Sequence, residues 1–128
     1  MSDDGIHVAV VDDDLSVRTA FARLLSVSAF DVRTYESARQ FLGSLDDTAA
    51  PECLIVDLQM PEITGLELQD QLKQRGFDIP TIVVTAFNEP GIRERCQLAG
   101  AVAFLLKPVR SEVLIAAIGA ALKPSPTS

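Results

Sequence analysis

The chain has 128 residues and a mass of 13.8 kDa, the size of one compact domain, and its 48% hydrophobic residues suffice for a full core. Eleven Lys and Arg against 18 Asp and Glu give a formal charge of −7, which argues against direct binding of nucleic acid or anionic lipid. The longest nearly unbroken apolar stretch, 113–122, is about half of what a membrane-spanning helix needs. No secretory signal is visible, so we expect a cytoplasmic protein without membrane contact.

Short apolar, β-branched runs alternate with segments of helical spacing. In chain order, the pattern predicts a strand over 8–11, a helix with the apolar face Val17, Ala20, Phe21, Leu24 and Leu25, a strand over 32–35, and a helix with the apolar face Ala38, Phe41, Leu42 and Leu45. Next come a strand over 54–56, a helix with Leu66, Leu68 and Leu72, a strand over 81–84, a helix with Ile92, Cys96 and Ala99, and a strand over 103–106.

The last helix is predicted to begin at Ser111, an N-cap followed by Glu112, and to end near Lys123, before Pro124. We therefore assign 1–123 to a single domain. The tail 124–128 has linker composition and is typical of the start of a connection to a further segment.

The order of elements predicts the fold class. Strand alternating with helix indicates an α/β domain, and right-handed crossovers favour a single doubly wound, five-stranded parallel sheet. Most of the runs are apolar at consecutive positions, as expected for parallel strands that helices cover on both faces. With the strand order 2-1-3-4-5, the carboxyl ends of the first and third strands would flank one cleft.

Polar residues follow four of the five predicted strands, at the edge where an open parallel sheet binds its ligands. Asp12 and Asp13 follow the first strand, and Asp57 follows the third. Thr85 and Lys107 follow the fourth and fifth. Carboxylates this close repel each other unless a cation lies among them, and oxygen ligands without His or Cys favour Mg²⁺. The ion, an ammonium and a hydroxyl would suit a transferring phosphoryl group, with Asp57 as the nucleophile.

Other chemically reactive residues have structural explanations. Asp14 is predicted to cap the helix that follows it. His7 lies at the start of the first strand and is assigned no catalytic role. Cys53 and Cys96 each lie in an apolar stretch, which favours reduced, buried thiols over a disulfide or a metal site.

Other functions on such a sheet remain open at this point. A flavin-binding domain would need a Ser-, Thr- or Gly-rich phosphate loop after the first strand, where this chain has carboxylates. An aspartyl phosphohydrolase would use the spacing of Asp12 and Asp14, but the chain has no room for a cap domain. A module that acts by protein contact alone would not need the complete set of Asp13, Asp57, Thr85 and Lys107.

A set of short motifs spans the chain from 6 to 122. The motifs are VDDD at 11–14, VDLQMP at 56–61 followed by Gly65, VTA at 84–86, and Gly100-Ala101 leading to Phe104 and Lys107-Pro108. Together they resemble the receiver domain of two-component response regulators, which implies a flavodoxin-like, CheY-like fold. The residues at 57–62 and 99–108 are most similar to receivers of the FixJ type, which are often joined to a helix-turn-helix output domain.

The resemblance implies how a phosphoryl group and a metal ion would be bound. Asp57 would accept the phosphoryl group from a phosphohistidine of a sensor histidine kinase, in a Mg²⁺-dependent reaction in which Mn²⁺ can substitute. Asp13 would bind the ion directly and Asp12 chiefly through water, while Asp57 and the backbone carbonyl of Gln59 would be further ligands.

The resemblance also implies a switch, without turnover of a separate substrate. Thr85 and Lys107 would bind phosphoryl oxygens, and Phe104 would turn inward as Thr85 moves toward the phosphate. The side chains of Gln59 and Phe87 would modulate the rate of phosphate loss, and the bulk of Phe87 predicts restricted access for water. The resulting change of conformation would control an output domain or a partner.

The last helix suggests which surface would transmit the change of conformation to a partner. Its apolar residues cover more than one stripe: Val113, Leu114, Ile115, Ala117, Ile118, Ala121 and Leu122. We expect its outer surface, with the fifth strand and a helix that begins near Glu89, to form a phosphorylation-dependent homodimer or partner interface. The alternative is an Ala-rich helix that tolerates exposure.

Overall fold

The computed structural model describes residues 5–46 and 50–122. In chain order these residues form β1 (Ile6–Val11), α1 (Leu15–Val27), β2 (Phe30–Tyr35), α2 (Ala38–Ser44), β3 (Cys53–Val56), α3 (Gly65–Gln74), β4 (Thr81–Thr85), α4 (Ile92–Leu98), β5 (Ala101–Leu106) and α5 (Ser111–Leu122). The strands are parallel and lie in the order β2-β1-β3-β4-β5. The predicted fold class, a doubly wound five-stranded α/β sheet, is confirmed.

Helices cover both faces of the sheet, and alternate strand residues belong to two cores. On one face, Ala9 and Val11 of β1 join a cluster with residues of α2, α3 and α4. On the other, Val8 and Val10 join a cluster with residues of α1 and α5. Every residue of β3 and β4 is buried, including Thr81 and Thr85 at the ends of β4, which explains the consecutive apolar residues in both strands.

The strands extend beyond their most apolar residues. They begin at Ile6, Phe30, Cys53, Thr81 and Ala101, and β4 continues to Thr85. The cause is backbone pairing, which does not depend on apolar side chains: Ile6 lies opposite Phe30, and His7 opposite Asp31.

Helix α4 begins later than predicted. Its first residue is Ile92, not a residue near Glu89, because Gly91 adopts a left-handed conformation with φ 84° and forms the N-cap. Ala99 is the C-cap rather than part of the helical face.

Three further helix predictions are wrong in detail. Leu45 is the extended C-cap of α2, although its side chain still packs against the core. Ser111 is the first residue of α5 rather than its N-cap, since the carbonyl of Arg110 accepts a hydrogen bond from the Leu114 amide at 3.1 Å. Ala20 is exposed and lies off the buried face of α1.

The predicted end of the last helix at Lys123 and the tail 124–128 lie outside the described residues. Over 5–46 and 50–122, the helices are too short or too polar for any of them to cross a membrane.

Candidate functional site

The carboxyl ends of β1 and β3 lie side by side and bring three carboxylates together. Val11 is paired with Val56, and the Asp57 amide donates to the Val11 carbonyl at 3.2 Å. Carboxylate oxygens of Asp12, Asp13 and Asp57 lie within 4.8 Å of one another. Asp12 and Asp57 are 3% and 7% exposed, whereas Asp13 is open to solvent. The structure therefore places in one cleft the three carboxylates that the sequence assigned to it.

Lys107, the residue after β5, bridges two of these carboxylates. Its Nζ atom donates to Asp12 Oδ2 at 2.9 Å and to Asp57 Oδ2 at 2.8 Å. The backbone fixes the start of this side chain, because the Lys107 amide donates to the Thr85 carbonyl at 2.8 Å. The bond between Lys107 and Pro108 is cis.

Burial and hydrogen bonding shift the pKa values of Asp12 and Lys107. Burial raises the pKa of Asp12, and this effect exceeds the opposite effect of its hydrogen bond from Lys107. Burial alone would lower the pKa of Lys107, but its hydrogen bonds to Asp57 and Asp12 outweigh burial and raise that pKa. Lys107 is therefore charged at neutral pH. A single ammonium among three carboxylates leaves an excess of negative charge that a divalent cation would compensate.

The loop after β3 holds Asp57 in a defined orientation. The Gln59 amide donates to Asp57 Oδ1 at 3.0 Å, so the two oxygens of this carboxylate have different partners. Helix α3 begins close behind this loop, and the Gly65 amide donates to the Leu58 carbonyl at 3.2 Å. A Cβ atom at Gly65 would lie 2.7 Å from the Asp57 carbonyl oxygen, so only glycine permits this approach.

Hydrogen bonds to the carboxylates of Asp12 and Asp14 hold the loop after β1. Asp12 Oδ1 accepts from the Asp14 amide at 2.9 Å, and Asp14 Oδ1 accepts from the Ser16 amide at 2.9 Å. The prediction that Asp14 caps α1 is therefore confirmed. Arg18 is not among the predicted site residues, yet its Nη1 atom donates to the Asp12 carbonyl at 2.6 Å. The one feature of the sequence that points to Arg18 is its position as a basic residue in α1, shortly after the acidic residues 12–14.

Thr85 ends β4, Phe87 lies in the loop that follows it, and Phe104 lies in β5. The Thr85 side chain is fully buried, and its hydroxyl oxygen accepts from the Phe87 amide at 3.1 Å. Phe87 is partly buried against the core that includes Phe104. Phe104 lies outside the carboxylate cluster and is already buried, with 5% exposure.

The remaining predicted residues lie away from the cleft. His7 is half exposed, and its Nδ1 atom lies 3.0 Å from Asp31 Oδ2, next to the amino ends of β1 and β2. Cys53 and Cys96 are free and buried, as predicted. Burial raises the pKa of the Cys53 thiol to about 12 and also raises that of Cys96.

Comparison with known proteins identifies the family. The family model described as the response regulator receiver domain matches residues 8–119. The chain belongs to this family. The receiver is 40% identical over 115 residues to the transcriptional regulatory protein TdiR of Thauera aromatica, which covers 90% of this chain and 50% of that protein. It is 36% identical over 118 residues to the transcriptional regulatory protein FixJ of Rhizobium meliloti, with 92% and 56% covered.

A solved structure agrees with both the fold and the subgroup. The crystal structure of FixJ-N superposes on this receiver with a TM-score of 0.84 at 35% identity and covers 95% of each chain. The resemblance to FixJ-type receivers and the CheY-like fold are therefore confirmed, and the domain is a signalling switch of two-component systems. The chain spans about half the length of the curated relatives it matches.

Proposed function

We propose that this receiver is a phosphoacceptor switch in which Asp57 takes a phosphoryl group from a phosphohistidine of a sensor histidine kinase. The observation that supports this proposal best is a buried carboxylate with an ammonium at 2.8 Å and two more carboxylates within 4.8 Å. An Asp57 oxygen would bond to phosphorus while the phosphorus–nitrogen bond of the donor breaks. The phosphoryl group is carried on Asp57 until water removes it, so the domain would catalyse only its own phosphorylation and dephosphorylation and would turn over no separate substrate.

The carboxylate cluster fits a hard divalent cation, because every side chain in it offers oxygen. Asp13, Asp57 and the backbone carbonyl of Gln59 would hold Mg²⁺ directly and Asp12 chiefly through water, with Mn²⁺ as a substitute. When bound, the ion supplies positive charge to the oxygens of the transferring phosphoryl group.

Two groups of this chain would bind the phosphoryl oxygens. An ammonium has three donor hydrogens, and Lys107 uses two of them on Asp12 and Asp57. The Thr85 hydroxyl accepts a hydrogen bond from Phe87, and it can still donate its own proton. Charge-assisted hydrogen bonds from these donors would favour the phosphorylated conformer, in which Thr85 moves toward the phosphoryl group and Phe104 occupies its buried position.

Intact mass measurement after incubation with Mg²⁺ and acetyl phosphate or phosphoramidate tests the acceptor. Wild type should gain one phosphoryl group, and Asp57→Asn should gain none. Asp14→Asn is the matched control, because it removes a neighbouring carboxylate that lies outside the cluster, and it should still gain the group. Chelation by EDTA should abolish the gain. Equal gain by wild type and Asp57→Asn would contradict the assignment.

Loss of the phosphoryl group tests the two residues assigned to its lifetime. Phe87 is bulky and apolar, and we expect it to restrict the attacking water, while Gln59 is exposed and its backbone amide donates to Asp57 Oδ1. Phe87→Glu should therefore shorten the lifetime of the acyl phosphate. An unchanged lifetime would remove Phe87 from the proposal, and Gln59→Ala provides the same comparison for the second position.

We further propose that this receiver is part of a longer cytoplasmic transcriptional regulator, since the relatives named above are transcriptional regulatory proteins of about twice the matched length. Phosphorylation would favour a homodimer through α4, β5 and α5. Supporting this surface, Leu98, Val102 and Val113 are 82%, 56% and 43% exposed. Sedimentation with and without beryllofluoride tests the dimer, and a monomer in both conditions would exclude it.

A further inference from the structure

Phe104 is buried although Val102 and Leu106, two residues before and after it in β5, are exposed. The pairing of β5 with β4 is irregular between Ala101 and Ala103, so regular alternation places Leu106, but not Val102, on the same face as Phe104. Val102 and Leu106 are 56% and 38% exposed, whereas Phe104 is 5% exposed. Phe104 belongs to the same core as Ile92 and Cys96 of the short helix α4, which covers it.

Arg93, in the first turn of α4, lies over the Phe104 ring. Its Cζ atom is 4.9 Å from the ring centroid, within the distance of a cation–π contact. Its Nη1 atom also approaches the Phe104 carbonyl oxygen at 3.5 Å. Arg93 itself is exposed, so its guanidinium separates the ring from solvent.

No carboxylate competes for this guanidinium in the part of the chain that the structure describes. The ion pairs there involve His7, Arg39 and Lys107, and none involves Arg93. Both contacts that Arg93 makes are therefore with one residue, the ring and the carbonyl group of Phe104.

We infer that Arg93 is a positioning residue that holds the Phe104 ring in its buried place and so favours the phosphorylated conformer of the site. This inference rests on the proposed function, in which the buried ring accompanies binding of the phosphoryl group by Thr85. A contact made in only one of two conformers changes the ratio of their populations by a factor set by the free energy of that contact. By linkage, the affinity of a ligand that binds the favoured conformer changes by up to the same factor. For an exposed cation–π contact the factor is about two- to fivefold.

The affinity for beryllofluoride in saturating Mg²⁺ measures this factor, with NMR signals of the Thr85 loop as the readout. Arg93→Ala and Arg93→Gln should weaken binding about two- to fivefold, because both remove the cation from the ring. Arg93→Lys should lose less, because it keeps the charge. Arg95→Ala is the matched control, since Arg95 is an exposed arginine of the same helix without a contact to the ring, and it should bind as wild type does.

A double-mutant cycle with Phe104→Leu separates the ring contact from a general effect of charge. In the Phe104→Leu background, Arg93→Ala should change the affinity by less than in wild type, because the partner ring is already gone. Equal effects in both backgrounds, or wild-type affinity of Arg93→Gln, would overturn the inference. The same cycle in urea denaturation without ligand reports the contact alone. If wild type binds no beryllofluoride, the phosphoacceptor proposal itself fails, and the inference fails with it.

Discussion

Replacing Lys107 by Met should destabilise the receiver when divalent ions are absent. The Lys107 ammonium lies 2.9 Å from a carboxylate oxygen of Asp12 and 2.8 Å from one of Asp57, and these residues are only 3% and 7% exposed. Methionine fills a similar volume, so the substitution removes the charge and both hydrogen bonds with little change in packing. Two buried carboxylates then lose the counter-charge that they share.

The size of the effect follows from the two hydrogen bonds. A hydrogen bond to a charged group contributes about 1.5–3 kcal/mol, so the loss of both sets an upper limit of about 3–6 kcal/mol. Proton uptake by Asp12, whose pKa burial already raises, offsets part of this loss. We expect a net loss of about 2–4 kcal/mol, which corresponds to a decrease in Tm of roughly 10 °C for a domain of this size.

Urea denaturation in EDTA, followed by circular dichroism, measures the loss. Lys73→Met is the matched control, because Lys73 is an exposed lysine of α3 without an ion pair in the described residues, and it should be neutral. Saturating Mg²⁺ should restore part of the stability of Lys107→Met by binding the folded state. If Lys107→Met is as stable as wild type in EDTA, the ammonium does not compensate the carboxylates and the reasoning is refuted.

Three further predictions concern Gly65, Thr64 and Cys53. Gly65→Ala should destabilise the domain by about 1–3 kcal/mol and slow phosphorylation of Asp57, because the new Cβ would lie 2.7 Å from the Asp57 carbonyl; unchanged values of Tm and labelling rate would contradict it. Thr64→Ala removes one half of the capping box with Glu67 and should cost about 1 kcal/mol in urea denaturation, with normal labelling as the check on specificity. Cys53, with a pKa of about 12, should resist iodoacetamide in the folded state and react after unfolding. Because the pKa of this thiol in the folded state exceeds the ordinary value of 9.0, its ionisation should also lower the free energy of unfolding as the pH rises from 9.0 toward 12.

The sequence was sufficient to predict the sheet and the convergence of the carboxylates, for a physical reason. β3 and β4 are apolar at consecutive positions, and only a strand covered on both faces can bury such a sequence. Right-handed crossovers favour a doubly wound sheet, and with the strand order 2-1-3-4-5 the residues after β1 and β3 lie next to each other. The proximity of Asp13 and Asp57 could therefore be predicted without any knowledge of side-chain geometry.

Contacts of long side chains could not be predicted in this way. Arg18 reaches the Asp12 carbonyl and Arg93 covers the Phe104 ring, and both contacts depend on rotamers and on how each helix sits against its strand. Gly91 is a second case, because its left-handed conformation delays the start of α4, and a glycine alone does not reveal which conformation it adopts. The edge strand β2 begins earlier than predicted, because its backbone pairing with β1 includes polar residues such as Asp31, which an apolar pattern does not reveal.

The hydrogen bonds of Lys107 explain why a phosphoryl group added to Asp57 would change the conformation of β4 and β5. Its amide bonds to the Thr85 carbonyl, so the two groups assigned to the phosphoryl oxygens share one backbone link between adjacent strands. Movement of either one displaces the other, and β5 carries Phe104 beneath Arg93 on α4. On the opposite side, the Asp12 carbonyl accepts a hydrogen bond from Arg18 and the Asp12 carboxylate accepts one from the Asp14 amide, and neither bond involves Asp57 or Lys107. The response should therefore spread through β4, β5 and α4, while β1 and α1 stay fixed.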